Sequence, residues 1–358
     1  MTDGPLAGIR ILSLAEQYPG PFATLLLADL GADVILVERP EHGDPARAYP
    51  TFFRALARNK RSVCLDLKSA GGKAQFKTLV EGADVVLEGF RPGKLAALGL
   101  GAADLRAIYP RLIYASITGF GQTGPYRDRP AHDISYQAVA GHLAPGGAAP
   151  ALPYGDLCGG MYAALAVVTA LLDRERTGES STLDIAIADG LVSWMIPDFV
   201  LAGEGEEPLR IADGPAYGCF PCADGRMLTI SLVHEKHFWR SLCDVLGMAE
   251  FSDLSWSDQI ARAPELKNRI TMKISDKTLD EWSVILDRHH IPWSQVNSAA
   301  DVLRDPHFAA RNLFRRSGNS TSFDIIQPIQ FDRFRSSIRR SAPALGEHND
   351  DLLGAHRN

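Results

Sequence analysis

Three adjoining stretches, Ile9–Leu14 (IRILSL), Pro21–Leu30 (PFATLLLADL) and Asp33–Glu38 (DVILVE), decide the fold. The first and third are short, nearly continuous apolar runs, as expected of strands buried on both faces. The middle one is long enough for an apolar helix, so together they form a βαβ unit. The loop after the first strand reads AEQYPGP. It lacks the G-x-G-x-x-G turn that cradles a pyrophosphate, which argues against a nicotinamide or flavin dehydrogenase.

Outward from this unit the alternation continues. Strands are expected at Ser62–Leu67, Ala83–Glu88, Arg111–Ile117 and Ser181–Ala186, with helices at Ala70–Val80, Met161–Leu172 and Asp189–Phe199. The pattern predicts an α/β protein with a mostly parallel sheet covered on both faces. In such sheets ligands lie beyond the carboxyl ends of the strands, where Arg39 and Arg91 fall. With the cluster Arg58, Lys60 and Arg61 they suggest a site for a small polyanion. The polar stretch GEGEEP (Gly203–Pro208) marks a linker, followed by strand-like Tyr217–Cys222 and Met227–Leu232 and helices at His237–Leu246 and Leu279–His289. Ile291–Asn297 is expected to return as a strand.

The 358 residues are 46% hydrophobic and 22% charged, ordinary for a soluble globular protein of two domains. A net charge of −6 argues against a nucleic-acid partner. Five cysteines form no disulfide framework, which places the chain in the cytoplasm by default. The C-x-x-C at Cys219 and Cys222 has no second pair at ligand spacing, and His234–His237 reads HEKH rather than H-E-x-x-H. No metal ligands are therefore assigned. The run Met161–Leu172 ends in Asp173-Arg-Glu-Arg176 and is too short to span a bilayer, so a core helix and no membrane association are expected.

The candidate site centres on Gly155–Gly160 (GDLCGG), just before that helix. Asp156 stands where the helix begins, its carboxylate expected to be ionised near neutral pH beside outward-pointing N–H groups, and the glycines let a ligand approach. An ordinary capping role is the simpler reading of Asp156 alone. His132 lies shortly upstream in the Gly/Pro-rich segment Thr118–Gly141 and makes a possible acid/base partner.

Several segments follow one another as in the family III CoA-transferases: GPLAGIRILSL (Gly4–Leu14), LADLGADVILVERP (Leu27–Pro40), NKRSVCLDLK (Asn59–Lys68), EGFRPG (Glu88–Gly93), TGFGQTGP (Thr118–Pro125), GDLCGG, CADGR (Cys222–Arg226), DPHFAARNLF (Asp305–Phe314) and GEHNDDLL (Gly346–Leu353). Within that family AHDISYQA (Ala131–Ala138) resembles the α-methylacyl-CoA racemase branch, with His132, Asp133 and Tyr136 in the matching positions. The resemblance implies a large Rossmann-like domain over residues 1–202, completed by 316–358 returning from the C-terminus, a linker at 203–214 and a smaller α+β domain at 215–315. It also implies an interlocked homodimer acting on acyl-CoA, with CoA as part of the substrate and no separate cofactor. Arg39, Asn59, Lys60 and Arg91 are then expected to hold the nucleotide and phosphates of CoA, with Asp133 and Tyr136 at the thioester.

Three functions follow as expectations. The first is racemisation of a 2-methylacyl-CoA by two-base proton transfer, with His132 and Asp156 on opposite faces of the α-carbon and Glu235 orienting the imidazole. The alternative is CoA transfer to a carboxylic acid through an acyl-enzyme on Asp156, a reaction that gives His132 no required part. Gln137-Ala138 after Tyr136 is the more transferase-like feature. The third is a CoA-thioester-binding protein without turnover.

Overall fold

The computed structural model describes residues 4–143, 149–206, 211–316 and 323–354. Parts of the expected linker (207–210) and of the returning segment (317–322 and 355–358) lie outside the described residues. The chain forms two compact units, 1–196 with 312–358, and 197–311. The change of unit falls within a helix, Ile196–Gly203, rather than at the polar stretch that follows it.

In the first unit a six-stranded parallel sheet runs in the order β3-β2-β1-β4-β5-β6. Its strands are β1 (Arg10–Ser13), β2 (Asp33–Glu38), β3 (Lys60–Cys64), β4 (Val85–Glu88), β5 (Ile113–Thr118) and β6 (Thr182–Ala186). The connecting helices are α1 (Pro19–Asp29), α2 (Pro50–Ala57), α3 (Ala70–Glu81), α4 (Ala102–Ile108), α5 (Asp133–Val139) and α6 (Tyr154–Thr177). Beyond β6 come α7 (Ile187–Trp194) and α8 (Ile196–Gly203). One buried layer joins the sheet to α1 and α6 through Ile11, Leu27, Val34, Ile113 and Val167, and the opposite layer packs Leu12, Ile35, Val63, Phe76 and Leu105. β2, β4 and β5 are buried almost throughout, the physical reason their sequences are continuous rather than alternating apolar runs.

The chain builds outward from β1 to β3, then returns so that β4 pairs with β1. The loops after β1 and β4 therefore diverge, opening a crevice at their carboxyl ends. The C-terminal segment lies along the outer edge of β3: His348 N–H donates to Ser62 O at 3.0 Å, and Cys64 N–H donates to Asn349 Oδ1 at 2.9 Å. An edge strand with free N–H and C=O groups is thereby covered by the chain itself.

α6 is twice the length of the run from which it is expected and, by length and composition, long and apolar enough to cross a membrane. It is not a wholly buried core helix. Cys158, Gly159, Ala163, Val167 and Leu171 are buried, and it packs along α1, whereas Met161, Leu165 and Leu172 are exposed.

The second unit carries a three-stranded antiparallel sheet, β7 (Tyr217–Pro221), β8 (Met227–Ser231) and β9 (Trp293–Gln295), the last lying in the segment expected to return as a strand. Its core gathers Phe220, Leu228, Trp239, Leu266 and Trp282, with α9 (Lys236–Leu246) among the helices.

Candidate active site

A cavity of about 550 Å³ opens where the sheet order reverses. Gln17 from the β1 loop, Gly89–Pro92 from the β4 loop, Thr118–Phe120 at the end of β5, and Arg127, Arg129, His132 and Tyr136 line it. Three arginines with exposed or half-exposed side chains face one cavity, an arrangement suited to phosphate or another anion. Arg91 is one of them. Arg127 and Arg129, in YRDRP just before His132, complete the set, and their spacing upstream of the histidine is the signal that sequence reasoning passed over.

Arg39 lies on the rim without lining this cavity. Its Nε donates to Gly43 O at 2.9 Å and its Nη2 pairs with Glu16 at 3.2 Å. Burial, more than any charge, raises the Glu16 pKa, and Arg39 and Lys94 oppose that rise.

Asn59 and Lys60 do not join the rim. Lys60 sits on β3 with its side chain in the interior, where Nζ donates to Pro21 O at 2.8 Å and to Thr24 Oγ1 at 2.7 Å. Burial pulls its pKa down to about 7. Asn59 is buried in the left-handed region at φ 61. Its amide donates to Asp29 Oδ1 at 2.7 Å, and its carbonyl oxygen accepts from Arg339 N–H at 2.6 Å. Arg58 pairs with Asp29 at 2.6 Å. These residues tie α1 and the C-terminal segment to β3. Their side chains are buried and directed at these protein partners rather than at the cavity.

Asp156 is in the first turn of α6, two residues past its first residue, and the N-cap position belongs to Pro153. The expected capping role therefore falls elsewhere. Asp133 provides it from α5, its Oδ1 accepting Asp156 N–H at 3.0 Å while its Oδ2 accepts Gln137 Nε2 at 2.5 Å. One helix N–H that was expected to face a ligand is thus satisfied by protein. The glycines likewise make room for protein. A Cβ at Gly155 would lie 2.9 Å from Asp133 Oδ1, at Gly159 2.6 Å from Ile187, and at Gly160 2.8 Å from Pro19 O.

The expectation that Asp156 is fully ionised near neutral pH is also revised. Burial first, and then the neighbouring Asp133 charge, push its pKa up to about 7, outweighing the favourable helix terminus. Two phenols share this environment. Burial and then Asp156 raise Tyr136 to about 12, and the same two causes raise Tyr18. Tyr136 donates to Ala131 O at 2.9 Å, and its ring occupies the space a Cβ on Gly119 would need.

His132 is the N-cap residue of α5, extended at φ −130, ψ 175, with its side chain exposed at the cavity wall. Glu235 belongs to the second unit, where it is the N-cap residue of α9. It accepts Val233 N–H at 3.0 Å, and that bond is the largest cause holding its pKa below the ordinary carboxylate value.

Gln17 was quoted in the sequence only as part of a missing glycine turn. It stands at φ 67 with its N–H between both oxygens of Asp44, at 3.1 and 3.2 Å. A non-glycine residue held in that region at a cavity wall is a common mark of a functional position.

The chain belongs to CoA-transferase family III, whose profile matches residues 6–349. Succinyl-CoA–D-citramalate CoA-transferase of Chloroflexus aurantiacus is 34% identical over 98% of this chain and 94% of its own length. Human alpha-methylacyl-CoA racemase is 31% identical over 97% of this chain and 92% of its own. The crystal structure of Rv3272 from Mycobacterium tuberculosis superimposes with a TM-score of 0.86 at 32% identity, covering 98% of this chain and 99% of that one.

Proposed function

We propose that the protein transfers CoA from an acyl-CoA to a free carboxylic acid through covalent intermediates on Asp156. The environment of Asp156 carries this reading: a half-buried carboxylate poised near neutral pH whose charge is felt by the phenols of Tyr136 and Tyr18. Desolvation makes such a carboxylate a better nucleophile than one in water, while a large share of it is ionised at pH 7 to 8. An Asp156 oxygen attacks the thioester carbonyl and CoA thiolate leaves, giving a mixed anhydride. The thiolate then attacks the Asp156 carbonyl carbon, releasing the donor acid as its carboxylate and leaving an aspartyl-CoA thioester. The acceptor carboxylate repeats the two steps in reverse and departs as the new thioester. No cofactor enters the balance. Arg91, Arg127 and Arg129 hold phosphates of CoA, with Arg39 nearby on the rim.

A cytoplasmic homodimer is the proposed working form, since the exposed apolar side chains of α6 suit a partner surface. Sedimentation giving a monomer at micromolar concentration would contradict it.

The test is an acyl-CoA supplied with a panel of carboxylic acids. Acceptor-dependent formation of new thioesters, lost in Asp156→Ala, supports transfer, and its absence across the panel overturns it.

Racemisation at the α-carbon is the second reading, favoured by His132 on the wall of the cavity that Tyr136 also lines. It predicts deuterium at Cα when one 2-methylacyl-CoA epimer is incubated in heavy water without free acid, and loss of that label in His132→Ala.

A further inference from the structure

A second cavity, of about 470 Å³, adjoins the first through Gln17 and is lined by Gln17, Tyr18, Pro45, Ala46, Tyr49 and Phe52. We propose that it receives the acyl group of the thioester and that its lining selects an apolar acyl chain over one ending in a carboxylate; the assignment rests on the transfer reading above.

Four observations support this. Tyr18 in the cavity wall immediately precedes Pro19, whose carbonyl oxygen would lie 2.8 Å from a Cβ on Gly160, so this wall runs beside the first turns of α6 that carry Asp156. Its floor and sides are ring and aliphatic surface: Tyr18 stacks edge-on to Phe52 at 5.1 Å, and Tyr49 is 70% exposed. Among the described residues, no Lys, Arg or His lines it. Two nearby cations, Arg47 and Lys60, already have partners, and an acid lies close by. Asp44, the residue before Pro45, carries a buried carboxylate. Arg47 is held by Glu38 through contacts of 2.7 Å from both Nε and Nη2 and lies 4.0 Å over the Phe53 ring. Buried Lys60 has both Pro21 O and Thr24 Oγ1 as acceptors. A terminal carboxylate in this cavity would meet no cation among the described lining residues and would lie near the Asp44 carboxylate, an expensive arrangement in a low dielectric.

The cavity is also preformed. Asp44 grips Gln17 N–H with both oxygens and caps the Pro45–Ala48 turn through Ala46 N–H at 2.8 Å, while its own N–H is fixed by Glu38 at 3.0 Å. The loops that follow β1 and β2 are thereby locked together, which reduces the cost of ordering them around a ligand.

The experiment is calorimetric binding to the full chain of three non-reactive ligands: CoA, S-hexyl-CoA and S-(3-carboxypropyl)-CoA. Binding does not depend on turnover, so an inactive enzyme that binds as described contradicts only the transfer reading. The hexyl ligand is expected to bind roughly tenfold or more tightly than the carboxypropyl one, on the scale of a few buried methylenes. Tyr49→Ala and Phe52→Ala should each remove most of that advantage while moving the affinity for CoA itself much less. Equal binding of the two thioethers, or an advantage that survives both substitutions, overturns the proposal.

Discussion

Two carboxylates, each at the start of a helix, show how differently one side chain type is tuned in the two units. Asp156, in the first turn of α6, is half-buried beside a second carboxylate, and its pKa is pushed up to about 7. Glu235, before α9, is also half-exposed, but it accepts Val233 N–H and is held below its ordinary value. The lesson is that a helix N-terminus does not by itself fix the charge of an acid near it. Desolvation and neighbouring charges outweigh the dipole at Asp156, and direct hydrogen bonds dominate at Glu235. Of the two acids, only Asp156 therefore has its pKa near physiological pH, as the proposed transfer requires of its nucleophile.

The largest effect should separate the two acids by function. Asp156→Ala is expected to lower kcat for thioester exchange by on the order of a thousandfold or more, as loss of a covalent nucleophile does. Glu235→Gln should cost less than about tenfold, the scale of a positioning change. Steady-state rates on one acyl-CoA and one acceptor decide this, and similar losses in both variants would remove the distinction.

Next comes pH. Transfer requires ionised Asp156, so kcat/KM should climb as pH rises toward the value near 7 and level off above it. Asp133→Asn keeps an oxygen to accept Asp156 N–H while deleting the charge that raises Asp156. The climb should then occur at lower pH. An unmoved profile would mean that Asp133 does not tune the nucleophile.

Stability gives a smaller contrast of opposite sign. The folded pKa of Asp156 is raised from 3.8 to about 7, so its contribution is fully present below the unfolded value and is lost as pH rises through about 7. Asp156→Asn should therefore raise Tm more at pH 8 than at pH 4. Glu235, with its depressed pKa, contributes above the ordinary carboxylate value and loses that contribution as pH falls through its folded value. Glu235→Gln should thus lower Tm slightly at pH 7, and the difference should vanish in acid. Thermal scans of both variants across that range check the two signs together.

Much of the fold was legible in the sequence because strands buried on both faces leave continuous apolar runs, as DVILVE and RLIYASI do. The helices α4 and α5 were not read, being short and weakly patterned. The candidate site was legible as motifs but not as roles. Lys60 looks like a phosphate ligand in a basic cluster, yet on β3 its side chain turns under α1 into the interior, where Pro21 O and Thr24 Oγ1 accept from it. Asn59 is claimed by Arg339 and Arg340, partners about 280 residues away that no local window contains. The glycines of GDLCGG serve contacts with Asp133, Ile187 and Pro19, which only the assembled layers reveal. Local spacing places a side chain on an element, whereas its exposure is set by which elements pack against it.

The central claim is that Asp156 forms a bond to the acyl group. The most direct measurement is peptide mass spectrometry after the enzyme is incubated with acyl-CoA and then quenched with hydroxylamine. The account predicts a hydroxamate at Asp156, absent when the thioester is omitted. An unmodified Asp156 together with deuterium at the substrate's α-carbon in heavy water would contradict it and make proton transfer the reaction.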